Sequence, residues 1–299
     1  MADGTRGQRP ERPRGSPSAL IRFLAIGHVT NDQLAAGVFP GGAALYAGLT
    51  AVHLGARVRL ITSFGSDFVG REILAHPGIH CDVAPSEQTT TFEERYVKGQ
   101  RWARVLKQAA PLRSGAYDAD VVFVCPVIGE VDSGALVAPG GAILGAGLQG
   151  WLRGLNKEGI VQRRRLRDIS FLSICRVVFF SEQDTPDDPL KFAQRIHETV
   201  RIVVVTQGAQ GALVLAEGRS FRIPAFPSQE VDPTGAGDSF AACFLLALAD
   251  GLSPLDAGIY ASCGASIIVE SQGPSGMSRL VELPERLAWY RDLCTQSAD

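Results

Sequence analysis

Apolar and polar positions fall into blocks along the chain whose lengths separate strands from helices. From Ile21, IRFLAIGHV is a short, bounded apolar run of the kind shown by a strand buried on both faces. Gly41-Gly42 then opens the Ala-rich stretch AALYAGLTAVHLGA, which predicts a helix ending near Gly55, and VRLITSFG predicts a second strand. Strand, helix, strand in this order is the βαβ unit of a parallel sheet. Between Cys81 and Ala110 the texture changes: TTTFEERYV is rich in Thr, aromatic and β-branched residues, and RWARVLKQAA fits a second strand or a short helix. That β-prone insertion predicts a lid over a pocket. Further buried strands are predicted over 120–125, 176–180 and 201–206, the last running into QGAQGALVLAEG, which has the pattern of a hairpin. Helices are predicted over 188–199, over 236–249 closed by Gly251, and over 254–270 closed by Gln272-Gly273.

With 299 residues and 45% apolar side chains, the chain suits one large α/β domain better than two separate ones. Its 29 basic and 31 acidic residues nearly cancel, so no positive field argues for nucleic acid or an anionic membrane, and the expected partner is a small molecule. The six cysteines, at 81, 125, 175, 243, 263 and 294, stand singly without CxxC spacing, which indicates neither zinc nor a disulfide framework. Several lie in apolar runs, as reduced thiols in a cytoplasmic protein do. No apolar run approaches the roughly 18 residues that span a bilayer. The first eighteen residues, MADGTRGQRPERPRGSPS, set Arg6, Arg9, Arg12 and Arg14 among Gly, Pro and Ser without the apolar stretch of a secretory signal. They read as a disordered basic tail.

The strongest chemical signal is Val231-Asp232-Pro233-Thr234-Gly235-Ala236-Gly237-Asp238-Ser239-Phe240, a glycine-rich turn running straight into an apolar helix. Glycines at 235 and 237 remove the Cβ atoms that would block a phosphate, and the first-turn amides carry the positive end of the helix dipole. A carboxylate in the same turn, Asp238, would repel a resting phosphate, so it makes sense there as the acceptor of a proton from an attacking hydroxyl. A helix cap after a turn is the plain alternative; it suits a lone GxGD better than this ten-residue string.

The string resembles the C-terminal signature of the PfkB, or ribokinase-like, family of carbohydrate kinases, and the resemblance extends over residues 21–276. Other landmarks recur in order: Gly41-Gly42, FGSDFVG at 64–70, and VVVTQGAQG at 203–211. The resemblance implies a three-layer α/β/α sandwich with a mainly parallel sheet and a small β lid, formed by segments near 30–41 and 81–110 of a kinase domain over 19–299. It implies Asp238 as catalytic base, with the amides of Gly235, Ala236 and Gly237 holding the migrating phosphate. Asp232 would help order the anion and cation site, while Thr206, Gly208, Gly211, Thr234 and Cys263 would border the nucleotide. Asp32, Gly41 and Gly42 would meet the acceptor. Thr91, Glu93 and Arg95 share one face of the lid strand, turned to substrate or to water, and Arg153 is placed to meet phosphate or stands exposed on a helix. ATP and Mg²⁺ are the implied cofactors, a monovalent cation such as K⁺ is left open, and Asp184 is the candidate metal ligand, through water. The expected acceptor is a sugar or polyol, and the expected state a monomer or weak homodimer.

Three positions depart from the family pattern. Tyr46 stands where Asn is frequent, Gly147 where an acidic residue is common, and Ser181 where the N-x-x-E element has its amide. TTTFEERY, GLQGWLRGL and VDPTGAGDSF resemble the inositol-kinase-like branch. A nucleoside kinase of the same family and a non-catalytic sugar sensor are the alternatives; a nucleotide-dependent oxidoreductase is disfavoured because no GxGxxG follows the first strand.

Overall fold

The structure is a computed structural model that describes residues 20–97, 100–113, 115, 117–137 and 140–296. The basic tail expected over 1–18 lies outside the described residues, as does the side chain of Cys294. The chain begins with β1 (Arg22–Ile26), β2 (Thr30–Leu34), β3 (Gly37–Gly41), α1 (Ala43–His53), β4 (Arg57–Phe64), α2 (Arg71–Leu74) and β5 (Ile79–Pro85). It continues through β6 (Thr90–Val97), β7 (Gln100–Lys107), β8 (Val121–Val124), β9 (Ile143–Gly147), β10 (Arg153–Leu155), β11 (Val161–Arg163) and β12 (Val177–Ser181). The remaining elements are α3 (Pro189–His197), β13 (Ile202–Thr206), β14 (Ala212–Ala216), β15 (Arg219–Ile223), α4 (Ala236–Ala249), α5 (Pro254–Ile268) and α6 (Leu283–Gln296).

Nine strands form one sheet in the order β15-β14-β13-β12-β9-β8-β1-β4-β5. Every pairing from β13 to β5 is parallel, and β14 and β15 extend the sheet antiparallel as the expected hairpin. Successive residues of one strand enter opposite cores: Phe23 and Ala25 pack with α1, α4 and α5, while Leu24 and Ile26 pack on the face covered by α3. Burial on both faces is why these strands read as unbroken apolar runs instead of alternating ones.

The helices carry local reasons for their ends. Asp188 caps α3 by accepting the amide of Lys191 at 2.8 Å, with Pro189 in the first turn. Ser253 does the same for α5 through the amide of Asp256, ahead of Pro254. Helix α4 is buried from Ser239 to Leu248, apolar all round as a helix held between a sheet and another helix must be. Its large side chains, such as Phe244 and Leu245, contribute about 1.5–3 kcal/mol each by leaving water.

A second, four-stranded sheet in the order β3-β2-β6-β7 is the lid. RWARVLKQAA is therefore a strand, β7, and not a short helix. One expectation is corrected: β5 pairs with β4 from Val58 opposite Ile79 to Phe64 opposite Pro85 at the edge of the main sheet, so only residues from Thr90 onward of the 81–110 stretch belong to the lid. The lid is fastened at its root. His28, just past β1, meets the Thr90 hydroxyl through Nδ1 at 2.8 Å and donates from Nε2 to the Ala110 carbonyl at 2.8 Å. Asp67 of the FGSDFVG loop accepts from the Thr89 amide and hydroxyl and from Lys107 on β7. Beneath His28, the buried Glu130 carboxylate accepts the backbone amides of His28, Val127 and Ile128, tying the ends of β1 and β8 together.

Candidate active site

The turn before α4 is held by one carboxylate. Asp232 accepts the Thr234 amide at 2.9 Å with one oxygen and the Gly273 amide at 2.9 Å with the other, so the turn is tied to the segment that follows α5. Gly235 caps α4 in the left-handed region, φ 76°, and Asp238 stands in the helix's first turn, half-buried. The first intrahelical bond runs from the Ser239 amide to the Gly235 carbonyl, leaving the amides of residues 236–238 ahead of it at the positive end of the dipole. Of the three donors expected here, that of Ala236 closes the turn onto the Pro233 carbonyl at 3.2 Å. Gly237 is exposed, and a Cβ placed on it meets no protein atom within 4 Å. Packing does not require a glycine there; the open space in front of the helix does not conflict with one.

Gly235 is different. A Cβ on it would fall 2.0 Å from Cδ1 of Tyr46, whose ring lies against the turn. Tyr46 is 1% exposed, on the first turn and a half of α1. Burial first, and then the charges of Asp32, Asp232, Asp238 and Glu94, push its hydroxyl far above its ordinary pKa. Those four carboxylates therefore surround one neutral ring. Sequence comparison singled out Tyr46 only as a departure; no local pattern tells that a helix-1 tyrosine reaches the turn of a helix nearly two hundred residues on.

On the other side of Tyr46 lies the lid. Asp32 is 7% exposed and accepts the Thr30 hydroxyl at 2.8 Å; its other oxygen lies 2.0 Å from where a Cβ of Gly41 would be. Gly42 has φ 98° and backs onto the His28 carbonyl. Both glycines are thus demanded by the protein's own packing, whatever else they meet. In register, Asp32 faces Phe39 on β3 and Phe92 on β6, so these share a face with Glu94, two residues on. Phe92 and Glu94 are buried, Glu94 to 5%. Glu93 lies on the opposite face with the exposed Gln33 and pairs with the exposed Arg95. The inward carboxylate of the lid strand is Glu94 rather than Glu93; Thr91 is buried at the strand's root, where its hydroxyl donates to the Thr89 carbonyl. Arg153 is on strand β10, not a helix: it donates to the Val127 carbonyl at 3.1 Å, and its guanidinium lies 5.7 Å from the centre of the Phe92 ring.

The donor-side residues divide. Thr206 ends β13 half-buried, and Gly208, φ 56°, has no protein atom within 4 Å of its missing side chain. Gly211, φ 94°, is instead pressed on the Ile223 carbonyl, 1.9 Å from a Cβ, so β15 explains that glycine. Cys263 is a correction: at 0% exposure on α5 its thiol lies within the core, where the apolar sequence around it belongs, so its side chain opens on no cleft that a nucleotide could enter. Asp184 accepts the Ser181 amide at 2.9 Å and the Gln149 side-chain amide at 3.5 Å. Gln149, which no sequence signal picked out, brings an amide group to the element that Ser181 leaves without one. Among the described residues no three His, Cys, Asp or Glu side chains gather into a metal cluster. A lone carboxylate suits Mg²⁺, which keeps much of its water and binds through one or two carboxylates plus substrate phosphates. No helix among the described residues is long and apolar enough to cross a membrane.

The sequence and fold have counterparts. Residues 173–279 match the family model described as pfkB family carbohydrate kinase. An inositol 3-kinase of Arabidopsis thaliana is 28% identical over 290 residues, covering 89% of this chain and 78% of that protein. A nucleoside kinase of Methanothermobacter thermautotrophicus is 28% identical over 258 residues, covering 78% of this chain and 79% of its own. In three dimensions the chain is similar to a pyrophosphate-dependent kinase in the ribokinase family, solved with a pyrophosphate analogue and myo-inositol, with TM-score 0.76 and 22% identity over 87% of this chain and 99% of that one. Over 173–279 the chain thus matches the PfkB carbohydrate kinases, over most of its length it is similar to kinases of the ribokinase type, and it is a phosphotransferase with an alcohol group as acceptor.

Proposed function

We propose that the chain moves the terminal phosphoryl group of ATP onto a hydroxyl of a sugar or cyclitol, with Asp238 as general base. The observation that carries this reading is the half-buried Asp238 carboxylate in the first turn of α4, next to a glycine that opens on empty space. A carboxylate beside an anion-binding helix end is poorly placed to hold phosphate and well placed to take a proton from the nucleophile attacking it.

In this reading the acceptor lies over Gly41-Gly42, with Asp32 and Glu94 accepting its hydroxyls and Phe39 and Phe92 alongside its ring. Arg153 lies at the lid edge of the same pocket, near the transferred group. The donor lies along the turns after Thr206 and Thr234, with room beyond Gly208 for a nucleoside. Amides of Gly235 and Gly237 take up charge as the phosphoryl group passes, and aimed donors of this kind usually form the largest catalytic contribution. Asp184 would hold Mg²⁺ through water, and the ion would neutralise donor phosphate charge. The lid excludes water while Asp238 draws off the hydroxyl proton. Residues 19–299 act as one kinase domain, and the short β2–β3 hairpin, with five residues in each strand, suits a monomer or weak homodimer better than a clasped pair. A cyclitol acceptor is favoured by the likeness to inositol 3-kinase over most of both chains.

The test is a transfer assay over myo-inositol, ribose, fructose and nucleosides, each with ATP or pyrophosphate, with and without K⁺. Acceptor-dependent release of ADP that disappears in Asp238→Asn supports the reading. Transfer only to nucleosides, or only from pyrophosphate, replaces its acceptor or its donor, and no transfer to any acceptor rejects it.

A further inference from the structure

Helix α1 touches both halves of the site. Its N-terminus continues from Gly41-Gly42, where the Tyr46 amide donates back to the Gly42 carbonyl at 3.2 Å. Its Tyr46 ring fills the place a side chain on Gly235 would take, with Cδ1, Cγ and Cε1 all within 2.3 Å of that Cβ position. The same residue reaches a second left-handed glycine: its hydroxyl oxygen lies 3.8 Å from a Cβ position on Gly273, φ 55°. Gly273 in turn gives its amide to Asp232, the carboxylate that also holds the Thr234 amide. Tyr46 thus lies between Gly235, where a side chain would displace its ring, and Gly273, which its hydroxyl meets at ordinary contact distance.

We infer that Tyr46 is a positioning residue for phosphoryl transfer: its ring holds the Gly235 turn in register with the acceptor floor, so that the α4 amides and Asp238 face the same reacting atoms. The inference rests on the phosphotransfer reading above. It acts through Gly235, since an aromatic face against a Cα leaves the backbone one seat, whereas a smaller side chain leaves a gap into which the turn relaxes. The ring does this and the hydroxyl does not, because the close contacts with Gly235 are all made by ring carbons. The residue type that departs from the family pattern is therefore matched to this turn.

The experiment compares Tyr46→Phe, Tyr46→Leu and Tyr46→Ala by steady-state kinetics with the best acceptor of the wild-type panel, alongside thermal unfolding. Tyr46→Phe is expected to keep kcat within about threefold, while Tyr46→Leu and Tyr46→Ala lose about 100-fold in kcat, as an ångström-scale misplacement of catalytic groups does. The KM values for donor and acceptor are expected to stay within about threefold, since the binding floors themselves are intact. Tyr46→Leu keeps the result readable if the alanine variant does not fold. A loss of thermal stability with unchanged kcat, a rise in KM alone, or a Phe variant as poor as Leu would each overturn the inference. An inactive wild-type chain would instead reject the phosphotransfer reading, so the two failures are distinguishable.

Discussion

One carboxylate oxygen of Asp32 occupies the space that a side chain on Gly41 would need, 2.0 Å from its Cβ position. Gly41 pairs with Thr30 across the β2–β3 hairpin, and Asp32, two residues beyond Thr30, reaches back over it near the floor of the proposed acceptor pocket. Gly41→Ala is expected to push the Asp32 carboxylate off its bond with Thr30 and raise the acceptor KM about 10- to 100-fold, the range for losing one hydrogen bond to a charged group. Steady-state kinetics against acceptor concentration read this directly. An unchanged KM would separate Asp32 from substrate recognition.

Asp238→Asn removes the proposed proton acceptor and keeps the shape. Turnover should fall about 10²- to 10⁴-fold, the usual contribution of a general base, while donor binding measured by calorimetry stays near wild type. Near-normal turnover would withdraw the base from Asp238.

The two neighbouring lid glutamates should behave in opposite ways. Glu94 is buried on the face it shares with Asp32 and Phe92, while Glu93 points away and pairs with Arg95. Glu94→Gln is expected to lower kcat/KM for the acceptor about tenfold or more. Glu93→Gln is expected to change it less than about twofold, as exposed ion pairs contribute little. Equal effects would contradict the assigned faces.

Asp67 should make lid attachment acid-sensitive. Hydrogen bonding from the Thr89 hydroxyl, helped by Lys107 and the Thr89 amide, lowers its pKa from 3.8 to about 2. A depressed carboxyl pKa stabilises the fold above its ordinary value, and that contribution is lost as pH falls from about 4 to about 2. Because the side chain is partly exposed, roughly 1 kcal/mol is expected after solvent screening. Urea unfolding of Asp67→Asn should show this deficit at neutral pH and a flatter profile across the acid range; parallel profiles would rule the linkage out.

Glu130 tests the junction beneath the lid. Glu130→Ala leaves three buried amides without their acceptor and is expected to destabilise the chain by roughly 3 kcal/mol or more, whereas Glu130→Gln keeps one oxygen and should cost roughly half that. Chemical denaturation measures both. Equal stabilities would mean that water replaces the carboxylate.

The parts of this fold that the sequence announces are those whose periodicity arises from their own packing. β1, β4, α1, α4 and α5 announce themselves because each carries a mainly apolar run that ends at a turn or glycine. β9 does not, since Gly145 interrupts it to admit Leu245 of α4, whose side chain would sit 2.9 Å from a Cβ there. β5 reads with the lid in the sequence because it continues into the Thr-rich stretch, and only its ladder with β4 assigns it to the main sheet. The site divides in the same way. The turn at 232–238 is local and legible, but the choice between Glu93 and Glu94 depends on which lid face turns inward, set by the β2–β6 register. Tyr46 and Gln149 act across long stretches of chain, and Cys263 shows that proximity in a motif map does not imply access.

The histidine contact at the lid's root constrains how substrate can come and go. His28 grips Thr90 on one stem and Ala110 beyond the other, and the Ala109 amide also bonds the Thr90 hydroxyl. A sheet clamped at both feet cannot swing like a door. Any movement of the lid against the main sheet must therefore bend its strands above these bonds, which places the geometry around Asp32, close to the clamp, among the parts that change least.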